Sequence, residues 1–181
     1  MISISEKVTG YPLALISWLS HQKSDMKYTI EPYKEKRSLN QNNFYWEIVT
    51  LISKGLNEPI TYTHNYLLRK CEIYEMIDGS TILTLLPDTD AAERQSYYND
   101  ELHIKPVRGK AGEHKTAQGN FRWYKVLKGS RKYNVQEMTR LIDIALEQLE
   151  SMDIMLPQEK AFMKALEEHE RNHKCYTTTT V

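Results

Sequence analysis

The stretch from Lys105 to Tyr133 concentrates the residue types that bind nucleic acid. Nine basic residues oppose a single acidic one, Glu113, and they are Lys105, Arg108, Lys110, Lys115, Arg122, Lys125, Lys128, Arg131 and Lys132. Basic side chains neutralise phosphates and release condensed counterions, which gives an affinity that does not depend on base sequence. Trp123 and other aromatic residues lie among these charges, and an exposed aromatic ring can stack an unpaired base. The stretch therefore predicts a surface that prefers single-stranded to duplex nucleic acid.

A strand over residues 121–127 would divide these side chains between two faces of a sheet. Successive side chains of a strand point to opposite faces, so Trp123 and Lys125 would share one face and Arg122 and Tyr124 the other. We expect one face to pack on the core and the other to bind, and the sequence does not decide between them. The simpler alternative is a solvated hairpin whose aromatic residues belong to the core.

A second candidate lies where basic residues lead into an amide-rich helix start. Arg37 precedes Ser38, and Ser38 with Gln41 has the spacing of a capping box. A helix N-terminus offers unpaired N–H groups and the positive end of a dipole, which suit a phosphate. Four consecutive amides occupy residues 40–43, so we predict that Arg37, Gln41 and Asn42 contact nucleic acid. The alternative is that Gln41 caps the helix and the other amides are solvated.

The same residues carry a family resemblance. Arg37-Ser38-Leu39-Asn40-Gln41-Asn42, followed by Trp46, resembles the Arg-Ser-Leu-Asp-Gln-Asn…Trp signature of the NinB (Orf) recombination proteins of lambdoid phages. Asn40 stands where the signature has aspartate. The likeness extends to the layout of residues 1–55, and the segment 128–143 is similar to related proteins of phages and prophages.

This resemblance implies a recombination mediator without catalytic activity. It would be a homodimer that prefers single-stranded DNA and helps to load a strand-exchange protein or annealase onto strands covered by single-strand-binding protein. Arg37, Gln41, Asn42 and Trp46 match the signature directly. The binding role of the basic stretch is predicted from its charge alone.

Enzymatic alternatives depend on small clusters of metal-ligand types. Asp88, Asp90 and Glu93 suit Mg²⁺ in a nuclease acting on recombination intermediates, although Asp90 and Glu93 also have capping-box spacing. His169, with His173 and Cys175, has spacing for a transition metal at the end of a helix. Phosphate-binding loops, dinucleotide fingerprints and nucleophile elbows do not occur. We expect neither a metal nor a cofactor.

Composition bounds the class of protein. The 181 residues are 40% hydrophobic and 27% charged, with a net charge of zero, so a folded core is expected. The neutral total hides segregated blocks, because Glu72–Glu101 holds eight acidic residues and one basic residue. That acidic block permits a third interpretation, a protein-interaction module with a basic partner.

Several absences favour a soluble, intracellular protein, and the resemblance to phage proteins implies the cytoplasm of a bacterial host. Cys71 and Cys175 stand alone, so no disulfide framework is expected. The first residues lack the pattern of a signal peptide, and no apolar run is long enough to span a bilayer. We expect no membrane association.

The elements that would position these residues mix strands and helices. We predict strands over residues 1–8, 26–33, 81–86, 103–107 and 121–127, the last two joined by a long exposed basic loop over residues 108–120. We predict helices from Pro12, from Ser38 to Gly55, from Thr61 or Thr63 to about Met76, from Asp90 to Tyr98, from Asn134, and from Pro157 to about Arg171.

This order lacks strict alternation, so it predicts an α+β fold. We expect a small mixed or antiparallel sheet packed with several helices, including a C-terminal helical pair. One domain would span residues 1–174, with a basic hairpin over 105–133, a helical part over 134–171 and a flexible tail over 175–181.

Overall fold

The structure, a computed structural model, describes residues 12–22, 39–158 and 160–177. The chain divides into two compact units, Met1–Glu35 and Lys36–Val181. In the first unit, helix α1 spans Pro12–Ser20 and begins at the predicted proline, whose fixed φ suits a first helical position. The strands predicted over residues 1–8 and 26–33, and Arg37 and Ser38, lie outside the described residues. The single domain predicted over residues 1–174 stays a prediction.

The core of the second unit is helical. Helices α2 (Leu39–Leu56), α3 (Ile60–Cys71), α5 (Val135–Ser151) and α6 (Lys160–Thr177) pack together, because each carries an apolar stripe at helical spacing. The buried side chains they contribute are Phe44, Tyr45, Ile48, Val49, Ile52, Leu67, Leu68, Cys71, Met138, Leu141, Ile142, Ala145, Leu149 and Phe162. The predicted C-terminal helical pair, α5 and α6, is confirmed.

Local signals set the start of α5. Asn134 accepts a hydrogen bond from the Glu137 backbone N–H at 2.9 Å, and the Glu137 carboxylate accepts one from the Asn134 N–H at 2.8 Å. These two bonds form a capping box at the residue where the helix was predicted to begin. Helix α6 continues to Thr177, so residues 175–177 of the predicted flexible tail are helical.

The helix predicted from Thr61 or Thr63 to about Met76 was wrong at both of its ends. Helix α3 follows Pro59, without a side-chain cap from Thr61 or Thr63, and it ends at Cys71 rather than near Met76. It stops there because Glu72 takes a left-handed conformation, φ 56°, and its N–H bonds the Leu68 carbonyl.

A tight hairpin follows α3. Strands β1 (Met76–Ile77) and β2 (Ser80–Thr81) pair antiparallel around Asp78 and Gly79, whose positive φ values of 49° and 78° suit such a two-residue turn. Strand β3 (Leu83–Pro87) covers most of the strand predicted over residues 81–86, and both of its ends are exposed.

The short helix α4 (Asp90–Gln95) has a different cap from the predicted one. It is capped by Thr89, whose hydroxyl accepts from the Ala92 N–H at 3.1 Å. The predicted capping box of Asp90 with Glu93 is therefore wrong. A turn of 3₁₀ helix over Ser96–Tyr98 extends the segment to the predicted end.

The larger sheet is antiparallel and is built around one long strand. Strand β6 (Gly119–Val126) pairs with β3 along one edge, and with β4 (Ile104–Pro106) and β5 (Glu113–Thr116) along the other. The predicted pairing of residues 103–107 with 121–127 is therefore present. The long exposed loop predicted over 108–120 is wrong, because most of it forms a 3₁₀ turn and β5.

Close packing fixes that turn. A Cβ on Gly112 would lie 1.9 Å from the Val107 carbonyl oxygen, so only glycine fits where the chain turns back into β5. The mixture of helices with two small antiparallel sheets confirms the predicted α+β class.

Candidate nucleic-acid interface

The register of β6 settles which face of the sheet is packed. Tyr124 lies opposite Thr84 and Pro106, and it is only 1% exposed. Side chains directly opposite one another in an antiparallel sheet share a face. The face that carries Tyr124 therefore packs inward.

The opposite face, which we call the outer sheet face, carries Leu83, Leu85, Lys105, His114, Phe121, Trp123 and Lys125. Trp123 lies opposite Leu85, and its ring centroid is 5.6 Å from that of His114. Lys125 lies opposite Leu83 and Lys105. Leu83 is 49% exposed, and none of the aromatic residues on this face is fully buried. This accessible face thus combines aromatic surface with two lysines, although the Lys105 ammonium donates hydrogen bonds to Glu72 and to the Arg69 carbonyl oxygen.

Most of the basic stretch is neutralised by carboxylates. Five of the nine basic residues form ion pairs, and these pairs are Lys105 with Glu72, Arg108 with Glu93, Arg122 with Asp88, Lys128 with Glu137 and Lys132 with Glu75. Four of the five carboxylates come from the acidic block Glu72–Glu101. The two blocks of opposite charge therefore pair largely with each other.

These pairs shift the titration of their members. The ammonium of Lys105 holds the pKa of the Glu72 carboxyl below its ordinary value through a hydrogen bond. The carboxylate of Asp88, whose Oδ1 accepts from Arg122 Nε at 2.7 Å, raises the pKa of that guanidinium. Of the nine residues in the basic stretch, those left without a carboxylate partner among the described residues are Lys110, Lys115, Lys125 and Arg131.

A cleft of about 810 Å³ brings the two predicted regions together. Helix α2 contributes Asn42 and Trp46, and the turn after β6 contributes Gly129, Arg131 and Lys132. Other lining residues are His64, Glu75, Asp100, Glu101, Leu102, His103, Val126, Leu127 and Ser130. Two matched signature positions, Asn42 and Trp46, thus share a surface with the end of the basic stretch. Gln41 does not, because it is buried and its amide donates to Thr139 Oγ1 at 3.4 Å.

Two histidines stand side by side in this cleft. The His64 ring lies 4.8 Å from the Trp46 ring and 5.3 Å from the His103 ring, measured between centroids. His64 Nδ1 is 2.8 Å from the Tyr45 hydroxyl. No pattern in the sequence indicates this pair, because the neighbours of the two histidines come from distant parts of the chain.

A buried amide fixes the proton position on His103. The Asn65 side chain is 1% exposed, and its Nδ2 donates to the carbonyls of Tyr97 and Asn99 at 2.9 Å each and of Thr61 at 3.2 Å. The Oδ1 of Asn65 must then accept, so His103 Nδ1, at 2.8 Å, donates to it. Neutral His103 therefore presents Nε2 as a hydrogen-bond acceptor.

His103 gives stability a pH dependence. Burial lowers its pKa below the ordinary 6.5, and Arg131 lowers it further, while Asp100 acts in the opposite direction. Between the folded-state pKa and 6.5 the unfolded chain binds more protons, so the free energy of unfolding should fall as the pH drops through this window. Urea denaturation above and below about pH 6.5 measures this. His103→Gln should flatten the dependence and the control His114→Gln should retain it, whereas parallel curves for parent and His103→Gln would contradict the assignment.

Several side chains proposed as metal ligands form ion pairs or hydrogen bonds with other side chains instead. Asp88 accepts from Arg122, and Glu93 accepts from Arg108 at 2.6 Å. His169 Nε2 lies 2.7 Å from Asp143 Oδ1, and of these two side chains only that of His169 is buried. Among the described residues no group of three or more His, Cys, Asp or Glu side chains is arranged to hold a metal ion.

Comparison with known proteins adds no relative. No family model, curated protein or solved structure matches the chain. Within the described ranges, no helix combines the length and the apolar character needed to cross a bilayer.

Proposed function

We propose that this protein binds single-stranded DNA across the outer sheet face. The observation that carries the proposal is the placement of Phe121 and Trp123, with Lys105 and Lys125, on the face of the sheet that does not pack inward. The opposite face buries Tyr124. A flat sheet surface with aromatic rings and cations is a common platform for unpaired bases.

The physical argument favours single strands over duplex. An aromatic ring gains stacking energy only from a base that is not already stacked between neighbours. Lys125 has an aromatic partner rather than a carboxylate, with its Nζ 5.0 Å from the centre of the Tyr74 ring. It therefore keeps a charge that can meet the phosphates between stacked bases.

The biological role is proposed from the resemblance of the segment around Asn42 and Trp46 to the signature of phage recombination proteins. We propose a recombination-accessory protein of a bacteriophage or prophage, acting as a homodimer in the bacterial cytoplasm without catalysis of its own. It would assist the loading of a strand-exchange or annealing protein onto strands covered by single-strand-binding protein. A metal-dependent nuclease is the enzymatic alternative, and Mg²⁺-dependent cleavage that Asp88→Ala abolishes would favour it.

A binding titration with single-stranded, duplex and branched DNA at several salt concentrations tests the proposal. We expect tighter binding to single strands. The logarithm of the binding constant should fall linearly with the logarithm of the salt concentration. If the four residues of the basic stretch without carboxylate partners provide the phosphate contacts, the slope should be about −3. If all nine basic residues provide them, it should be about −6. Equal affinity for blunt duplex would contradict the stacking argument. Absence of binding at low salt would bring forward the protein-interaction alternative.

A further inference from the structure

The cleft holds groups that the outer sheet face does not use. Three hydrogen-bond acceptors gather there, namely His103 Nε2 and the carboxylates of Asp100 and Glu101. Within the described residues, His103 Nε2 has no hydrogen-bond partner, and neither carboxylate has an ion pair. This part of the cleft therefore suits a ligand that donates hydrogen bonds.

The acceptor on His103 is preorganised. Asn65 is held by three backbone carbonyls and fixes the proton on Nδ1. The Cδ2–Nε2 edge of the ring is the part nearest to Gly129, because a Cβ at Gly129 would lie 3.4 Å from Cδ2 and 3.7 Å from Nε2. Since Gly129 also lines the cleft, glycine leaves the acceptor edge uncovered.

The remaining walls supply an aromatic ring and a cation. Trp46 is half-buried against His64 and lines the cleft, so it offers flat apolar surface of the kind on which bases stack. Arg131 is exposed and has no carboxylate partner within the described residues. Its neighbour Lys132 is held by Glu75 at 2.7 Å. Arg131 is thus the available anion-binding group of the cleft.

From this combination we infer that the cleft binds one unpaired nucleotide whose base carries an exocyclic amino group, with its phosphate on Arg131. The amino groups of cytosine, adenine and guanine donate hydrogen bonds, and the cleft offers acceptors. Thymine has a carbonyl oxygen in place of that amino group, and this oxygen would face His103 Nε2 and two carboxylates. The inference rests on the proposed function in one respect, namely that the nucleotide belongs to a single strand that the protein binds.

The test uses isolated deoxynucleotides, so that strand binding does not enter. Calorimetric titration of the full chain with dCMP and dTMP should give tighter binding of dCMP by at least about fivefold, the lower end of what one good base contact contributes. Arg131→Gln should weaken dCMP binding by at least about tenfold, the lower end for a hydrogen bond to a charged group. Arg140→Gln is the matched control, because Arg140 is exposed on α5 and does not line the cleft.

A second variant fills the cleft without removing a charge. Gly129 has φ −66° and ψ 139°, a conformation that valine adopts readily. The valine side chain would cover the Cδ2–Nε2 edge of the His103 ring. Gly129→Val should abolish the preference for dCMP while leaving the thermal midpoint near that of the parent. Equal binding of dCMP and dTMP, failure of both to bind, or equal effects of Arg131→Gln and Arg140→Gln would overturn the inference.

A parallel titration with short oligodeoxycytidylate and oligothymidylate separates this inference from the proposed function. Oligonucleotide binding without any preference between dCMP and dTMP would reject the cleft assignment and leave strand binding intact. Selective dCMP binding without oligonucleotide binding at low salt would reject strand binding across the sheet and leave the cleft as a nucleotide site.

Discussion

Replacement of Trp123 by alanine is expected to weaken single-stranded DNA binding by about 5- to 150-fold, because a base stacked on an aromatic side chain contributes roughly 1–3 kcal/mol. Trp123 is half-buried on the outer sheet face, opposite Leu85 and next to His114. Its ring is therefore accessible from one side and supported from the other. Fluorescence anisotropy of a labelled oligonucleotide measures the effect.

Two further replacements separate stacking from loss of apolar volume. Trp123→Phe keeps an aromatic face and should retain most of the affinity, whereas Trp123→Leu keeps apolar bulk and should bind nearly as poorly as the alanine variant. If all three variants bind as the parent does, the strand does not lie on this face.

Lys125→Glu should also weaken binding to single-stranded DNA. Lys54→Glu, at an exposed site on α2, serves as its control.

The change Asn65→Asp is expected to lower the free energy of unfolding by at least about 3 kcal/mol, the usual cost of an uncompensated buried charge. The two side chains have the same shape, but the carboxylate has no N–H to donate. It would oppose the carbonyl oxygens of Thr61, Tyr97 and Asn99, which now lie 2.9–3.2 Å from the amide nitrogen. Urea denaturation at neutral pH measures the loss.

Asn99→Asp is the matched control for that variant. Asn99 is exposed, and its Oδ1 accepts from the N–H groups of Glu101 and Leu102 at 2.9 Å each, a role that a carboxylate keeps. The deficit of Asn65→Asp should shrink at acidic pH, because a protonated carboxyl can donate one hydrogen bond. Similar stability of the two variants would show that the Asn65 amide does not fix this region.

Local signals in the sequence were sufficient for much of the helical framework. The capping box at Asn134 and the apolar stripe after it predict α5 correctly, because both depend on residues within a few turns. Strand β5, Glu-His-Lys-Thr, has no apolar alternation. It forms because β6 lies beside it and because Gly112 permits the turn, and neither condition is visible in the strand itself.

The candidate site was predictable in composition but not in arrangement. The blocks of opposite charge are visible in the sequence, yet their mutual pairing joins residues as far apart as Glu75 and Lys132. Likewise, the role of Asn65 depends on carbonyls more than thirty positions away, at Tyr97 and Asn99. Such long-range partners leave no periodic signal, so only the fold reveals them.

The ion pairs of the basic stretch have a consequence for how quickly a bound strand leaves. A phosphate that reaches Arg122 or Lys132 must displace Asp88 or Glu75, both already in place at 2.7 Å. The number of ion pairs is then unchanged by the exchange, and the displaced carboxylate stays tethered nearby as an intramolecular competitor at high effective concentration. Each such contact therefore adds little to residence time. If the protein binds single-stranded DNA as proposed, we expect it to release the strand readily to a partner that binds the strand more tightly.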